Sequence, residues 1–252
     1  MSKLIPLTLA PVASACLCAF AIGAPPEEEP AYDVVVDPMA EVCLRGVGDA
    51  AWATARLSPE ALKPKLDGAR ATILLCATSG RFGRSFDEVI YSVEVEDPTG
   101  GGGEAAFLLQ AFNSVRSYAW IERKRNRSPY EYGEISVESG VGRGAFSLHT
   151  KAGFQLTAAL GPRDVGGLHQ DVSFDGAIYL PQALNPREDV GEYFLARLDG
   201  EAEVFAFDST VDTFSFQGEG PLATLLTEGH FTPELWILRP TSRHAKTDNL
   251  ER

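Results

Sequence analysis

The sequence predicts a mainly β domain, an antiparallel barrel or strongly curved sheet with two or three short helices. Residues 88–96 alternate Val, Tyr, Val and Val with mostly polar partners, which is typical of a half-buried strand. About ten such segments lie between residues 71 and 239, separated by turn-forming residues. The composition, 44% hydrophobic and 23% charged, is that of a globular domain. Closing so many strands into a barrel would remove exposed edges and leave room for one small ligand.

The expected helices are short. Residues 38–56 are Ala-rich with helical tendencies, and Ser58 followed by Pro59 is typical of a helix start. A second helix is predicted over residues 115–125. The glycines at 100–103 lie between two predicted strands, so they indicate a hairpin tip rather than a phosphate-binding loop, which would lead into a helix.

Residues 1–24 are typical of a secretory signal peptide. Lys3 precedes an apolar stretch that ends in small residues, with Ala21 and Gly23 at the positions before cleavage. We therefore expect export, to a periplasm or the medium. An uncleaved anchor would need roughly 20 apolar residues in a helix, and the prolines at positions 6 and 11 disfavour it. Lipid attachment at Cys16 is a less favoured alternative, since the following residues stay apolar.

After the leader we expect a Pro/Glu-rich linker at 25–37, one domain at 38–240 and a polar tail at 241–252. No membrane span is predicted in the mature chain. The net charge of −13 argues against nucleic acid as a partner, because binding to phosphates depends on Lys and Arg. The four histidines lack the spacing of metal ligands, so neither a metal nor another cofactor is predicted. The sequence leaves the oligomeric state open.

The mature chain keeps two cysteines, Cys43 and Cys76. In an oxidising compartment they can form a disulfide that closes a loop of roughly thirty residues. The alternative is two buried thiols that act as small apolar side chains. The absence of any repeated cysteine spacing slightly favours the thiols.

Five short motifs follow one another along the chain: Ser58–Pro64, Phe86–Ile90, Arg123–Tyr130, Glu192–Leu195 and Glu234–Leu238. Taken in order, they resemble acetoacetate decarboxylase-like proteins, and the second half resembles a divergent branch of that superfamily. The resemblance covers roughly residues 55–240 and implies a β-barrel-like fold around a cavity with apolar walls and a few charges.

The resemblance also bears on the chemistry. The decarboxylases use a lysine that forms a Schiff base, in a pair of lysines directly after the proline of the third motif. Tyr130 and Glu131 occupy those positions, so Schiff-base decarboxylation is not predicted. Glu88 matches a cavity glutamate of the family and would orient a ligand or act as acid or base; the alternative is a surface residue at a strand start. Arg123 could bind a carboxylate through its two-pronged guanidinium, or simply favour the carboxyl end of its helix.

These residues support one leading hypothesis, an exported protein that binds a small carboxylate or ketone through Glu88, Arg123 and Tyr130. The first alternative is an enzyme, a lyase or hydrolase, that uses Glu88 as acid or base. The second is a non-catalytic structural or interaction protein with a filled barrel. If Glu88 faces solvent, the ligand-site hypothesis fails.

Overall fold

The computed structural model describes residues 30–98, 103–164, 166–171 and 173–252. The predicted signal peptide, Cys16 and most of the predicted glycine hairpin tip lie outside these residues. The helices are α1 (Ala50–Leu57), α2 (Arg116–Lys124) and α3 (Pro221–Glu228). The strands are β1 (Val34–Asp49), β2 (Leu66–Asp67), β3 (Arg70–Phe82), β4 (Arg84–Glu94), β5 (Glu104–Asn113), β6 (Tyr130–Tyr132), β7 (Glu134–Gly140), β8 (Arg143–His149), β9 (Gln155–Ala159), β10 (Leu168–Asp171), β11 (Phe174–Leu180), β12 (Glu192–Asp199), β13 (Glu201–Ala206), β14 (Thr213–Gln217), β15 (Thr232–Lys246) and β16 (Leu250–Glu251).

Seven strands close into a barrel, which confirms the predicted fold class. Their order is β15, β1, β3, β4, β5, β11 and β12, and β12 pairs with β15 again to complete the ring. Every pairing in the ring is antiparallel except that of β5 with β11, which is parallel. The barrel is therefore mixed, and strands distant in sequence meet at the β1–β15, β5–β11 and β12–β15 pairs.

A second, four-stranded sheet covers part of the barrel in the order β14, β9, β8 and β7. Successive side chains of a strand point to opposite faces. The outward side chains of the barrel, such as Leu44, Leu75 and Trp236, pack with Leu148 of the second sheet and Leu222 of α3 in the main hydrophobic core. This core lies outside the barrel, so it does not fill the barrel interior.

The first part of the chain differs from the predicted boundaries. Strand β1 begins at Val34, inside the expected linker at 25–37, and continues to Asp49 through a segment expected to be helical. Helix α1 occupies only Ala50–Leu57, and Ser58–Glu60 forms a single 3₁₀ turn after it rather than a helix start. Pairing of β1 with β3 and β15 on its two edges outweighs the modest helical preference of its alanine.

The segment 241–252, predicted as a polar tail, continues the barrel sheet. Strand β15 continues to Lys246, and Leu250–Glu251 form β16 against β12. Its side chains His244 and Lys246 border the barrel interior.

Cys43 and Cys76 form a disulfide, so the slight preference for two free thiols was wrong. They are direct partners across β1 and β3 and both face the barrel interior. Strand register, which cysteine spacing does not reveal, brings them together. Among the described residues, the helices are all too short or too polar to cross a lipid bilayer.

Candidate functional site

The barrel interior holds a continuous cavity of about 1200 Å³. Much of its wall is apolar, and two clusters of buried residues contribute to it, one around Leu108 and one around the disulfide. The apolar lining includes Ile90, Leu108, Ile178, Phe194 and Ile237. A cavity with apolar walls and few polar groups is the usual form of a small-molecule site.

One row of polar side chains crosses five adjacent strands of the wall. Strand register places Arg239, Glu41, Thr78, Glu88 and Asn113 opposite one another in that order, from β15 through β1, β3 and β4 to β5. All five border the cavity. The row places five polar side chains side by side at one level of the barrel.

Glu88 faces the cavity and not the solvent, as the ligand-site hypothesis requires. Its Oε1 accepts a hydrogen bond of 2.7 Å from Nδ2 of Asn113, and its carboxyl is hydrogen-bonded to Tyr130. Burial, followed by the negative charge of Glu122, raises the pKa of Glu88 to about 7, against the opposing effects of Lys246 and the two hydrogen bonds. Glu88 can therefore gain or lose a proton near neutral pH.

Tyr130 lies buried beside Glu88. Burial and then the neighbouring charges of Glu88 and Glu122 raise the pKa of its hydroxyl well above the ordinary value. Tyr130 therefore stays protonated and acts as a hydrogen-bond donor. Glu131, the next residue of β6, is not part of the cavity lining.

Lys246 is the site residue that sequence reasoning missed. Its Nζ lies 2.5 Å from Oε1 of Glu122 and 5.3 Å from the ring centroid of Phe194, at the cavity wall. Its charge also acts on Glu88. Ser242, His244 and Lys246 occupy alternate positions, the spacing of residues on one face of a strand. This signal was available in the sequence, but the polarity of the segment obscured it.

Arg123 does not join this group. It is exposed on α2 and is absent from the cavity lining. Helix geometry turns successive residues by about 100°, so Glu122 faces the barrel while Arg123 faces outward. Of the three predicted ligand-binding residues, the structure brings Glu88 and Tyr130 together and leaves Arg123 apart.

A second polar group lies further along the same row. Arg239 and Glu41 form a buried ion pair. The charges of Glu41 and Arg239 both act on His244. Burial has the largest effect on its imidazole and lowers the pKa. Nε2 of His244 and Oγ1 of Thr78 are buried at the cavity without a hydrogen-bond partner among the described residues. Buried polar atoms of this kind are usually satisfied, so both are available to a bound molecule.

The opposite end of the cavity is charged. Glu94 Oε1 lies 3.3 Å from Nε of Arg45, and its Oε2 lies 3.4 Å from Nζ of Lys65. Glu96 and Glu104 border the same region. One apolar part of the cavity therefore lies between these charges and the polar row.

Within the described residues, Glu41 with Cys43 and Cys76 is the one grouping whose atoms lie close enough to hold a metal ion. The two sulfurs are bonded to each other, and Glu41 is paired with Arg239. The donors are thus engaged within the protein, and the grouping does not fit a metal in this state.

The fold resembles that of solved acetoacetate decarboxylases and related enzymes. An acetoacetate decarboxylase matches with a TM-score of 0.57 at 11% identity over 89% of this chain and 92% of that one. The enduracididine biosynthesis enzyme MppR, complexed with pyruvate, matches with a TM-score of 0.57 at 14% identity over 89% of this chain and 91% of its own. Acetoacetate decarboxylase from Legionella pneumophila matches with a TM-score of 0.55 at 11% identity over 98% of each chain.

No protein-family model and no curated protein sequence matches the chain. At such low identity the structural likeness shows the fold alone, and the chemistry must be argued from the site.

Proposed function

We propose that the barrel interior binds a small, partly apolar carboxylate or ketone. The observation that supports this most strongly is that Tyr130 and Lys246 both act on Glu88 at the wall of a cavity with a largely apolar lining. The volume of that cavity argues against a filled barrel with a purely structural role. Arg123, exposed on α2, has no part in the proposal.

Each polar group has a distinct role in this proposal. The Lys246 ammonium attracts the carboxylate, and the Tyr130 hydroxyl donates a hydrogen bond to a carbonyl or carboxylate oxygen. Glu88, when protonated, can donate as well, while Asn113 holds its carboxyl in place. A structural neighbour was solved with pyruvate, whose carboxylate and ketone have this chemistry.

The proposed binding is non-covalent. By the resemblance, Tyr130 and Glu131 stand where the decarboxylases carry their lysine pair. Lys246 comes from a different strand, and its ammonium is engaged by Glu122. Borohydride reduction in the presence of pyruvate or acetoacetate should leave the mass of the protein unchanged. A reduced adduct at Lys246 would contradict the non-covalent assignment.

Titration calorimetry with pyruvate, acetoacetate, butanoate and butanone tests the binding itself. Lys246→Met should weaken binding of the three acids by about tenfold or more, since a charged hydrogen bond contributes about 1.5–3 kcal/mol, and should affect butanone least. Lys124→Met, which removes an exposed lysine of α2, is the matched control and should leave all affinities unchanged. If no acid binds, or both variants behave alike, the proposal is wrong.

A second candidate function is acid–base catalysis by Glu88, and its pKa of about 7 favours it specifically. A general acid or base is most effective when its pKa lies near the working pH. Glu88→Gln should then keep the affinity for the ligand but lose turnover, and the wild-type rate should change with pH around 7. Retained turnover in that variant would exclude Glu88 as the proton carrier.

We also propose that this function is exercised after export, on the basis of the leader-like residues 1–24. Mass spectrometry of protein recovered from its native host should find a mature chain that begins near residue 25. A chain lipidated at Cys16, or one retaining the leader, would contradict soluble release.

A further inference from the structure

We propose that the ligand carries an extended apolar chain, so that its class is a medium-chain carboxylate or oxo acid rather than a short one. This inference rests on the proposed function, which supplies the polar head. The chain would run from Glu88 along the interior toward the charged end at Glu94.

The first support is the length of the apolar section. Along β4 the inward residues are Glu88, Ile90, Ser92 and Glu94, so the two carboxyl groups are six residues apart. Six residues span roughly 20 Å along a strand, or roughly 15 Å along the axis of a barrel whose strands tilt by 35–45°. An extended chain advances about 3.4 Å per three bonds, so this distance accommodates about a dozen bonds.

The second support is the chemistry of the wall between those ends. Leu108, Ile178 and Phe194 belong to one buried apolar cluster facing the interior, and Ile237 with the disulfide forms another. These residues form an apolar belt. None of them carries a charge, whereas the residues at both of its borders do. An acyl chain gains free energy from such a belt, and a second charged group there would not.

The third support is volume. A cavity of about 1200 Å³ exceeds the range of roughly 300–1,000 Å³ that suits drug-sized ligands. Pyruvate or acetoacetate, with six or so heavy atoms, would leave most of the apolar wall uncovered. A chain that covers it explains why the cavity continues past the polar row.

Thr78 and His244 indicate the form of the head. Their unpartnered polar atoms lie at the cavity, with Thr78 directly opposite Glu88 across the β3–β4 pair. A head with a second oxygen, as in an oxo or hydroxy acid, would satisfy one of them while the carboxylate contacts Lys246.

Isothermal titration of the full mature chain with butanoate, octanoate and dodecanoate, each below its micelle concentration, tests the inference. Burial of each methylene should tighten binding by at most about fourfold, so octanoate should bind on the order of a hundredfold more tightly than butanoate. Dodecanol lacks the carboxylate and should bind to the wild type more weakly than dodecanoate does. Its affinity for Lys246→Met should equal its affinity for the wild type.

Replacing a small side chain of the apolar belt by a large one should reduce the length of acyl chain that the cavity can hold. Ala106, buried on β5 opposite Ile178, faces the cavity beyond the polar row. Ala106→Trp should keep the butanoate affinity and abolish the advantage of dodecanoate. Ser92→Leu, on the neighbouring strand β4, is a milder filling variant that serves if the tryptophan prevents folding. Circular dichroism checks that each variant is folded.

The outcomes separate this inference from the proposed function. If no acid binds, the proposed function itself fails. If butanoate binds through Lys246 and longer acids bind no more tightly, the proposed function stands and the chain inference is overturned. A dodecanoate advantage that survives both filling variants also overturns it, because the chain would then lie elsewhere.

Discussion

The two faces of the same barrel wall are built differently. On β3 the outward side chains Ile73, Leu75 and Ala77 are completely buried in the main core, whereas inward Leu74 and Cys76 keep some accessible surface at the cavity. The outward face thus provides close packing, and the inward face provides space.

Two carboxyl groups show the same contrast. Asp212 accepts hydrogen bonds from Arg163, from Nε1 of Trp236 and from two backbone amides, those of Gly161 and Asp208. Its burial acts to raise the pKa, but these donors together outweigh burial and lower it.

Glu88 has only Asn113 and Tyr130 as hydrogen-bond partners in the site, and burial raises the pKa of Glu88 to about 7. The difference shows that burial alone does not decide the state of a carboxyl group. Where enough donors converge, as at Asp212, the charge is fixed and structural. Where they are few, the group exchanges a proton near neutral pH.

The largest expected effect is on the structural carboxylate. Asp212→Asn removes the charge that balances Arg163 and turns one acceptor into a donor, so unfolding in urea at neutral pH should require about 3–5 kcal/mol less. The lowered pKa of Asp212 stabilises the fold above the pKa of the unfolded state, and this stabilisation is lost as the pH falls through the folded value. The deficit of the variant should therefore shrink in acid.

Asp164→Asn, at an exposed position nearby, is the control and should change stability by less than about 0.5 kcal/mol. An equal loss in both variants, or a pH-independent deficit at Asp212, would show that the hydrogen-bonded charge is not what stabilises this region.

Glu88→Gln should change the free energy of unfolding in the opposite direction. Its folded pKa of about 7 lies above the ordinary 4.5, so the wild type loses stability as the pH rises between these values. At 1.36 kcal/mol per unit the loss reaches about 3 kcal/mol. Glu88→Gln removes this loss and should be the more stable protein by about that amount above neutral pH, and about equal to wild type at pH 4.

Urea unfolding across the pH range measures this difference, and Glu228→Gln on the exposed side of α3 is the matched control. A Glu88→Gln variant that is less stable than wild type at alkaline pH would mean that the ionised carboxylate is well accommodated, and the contrast with Asp212 would then not hold.

The sequence was sufficient for the barrel, because period-two alternation and turn residues are local properties. It also proposed Glu88 and Tyr130 as ligand-binding residues, from motifs of recognisable order, and the structure places both at the cavity. It failed for Lys246, whose role depends on the closure between β12 and β15, strands far apart in the sequence.

The disulfide shows the same limit. Cys43 and Cys76 meet because of the register between β1 and β3, and Arg123 misses the cavity because of the rotation of α2. Register, closure and helix rotation are set by the packing of the whole domain, so a single segment contains little information about them. Sequence reasoning therefore recovered residues that belong to motifs and missed or misplaced those positioned by tertiary structure.

The smallest expected effect is also the most direct comparison of the two faces, because it uses adjacent residues of one strand. Leu75→Ala opens a void in the close-packed outer core and should cost about 3 kcal/mol in unfolding free energy. Leu74→Ala only enlarges a cavity that already exists, so its cost should be about 1 kcal/mol, the transfer contribution of a partly accessible side chain. The measured quantity is the difference of about 2 kcal/mol between two chemically identical substitutions. Equal costs would mean that the interior is packed as tightly as the core, and the cavity on which the ligand proposals depend would be absent in solution.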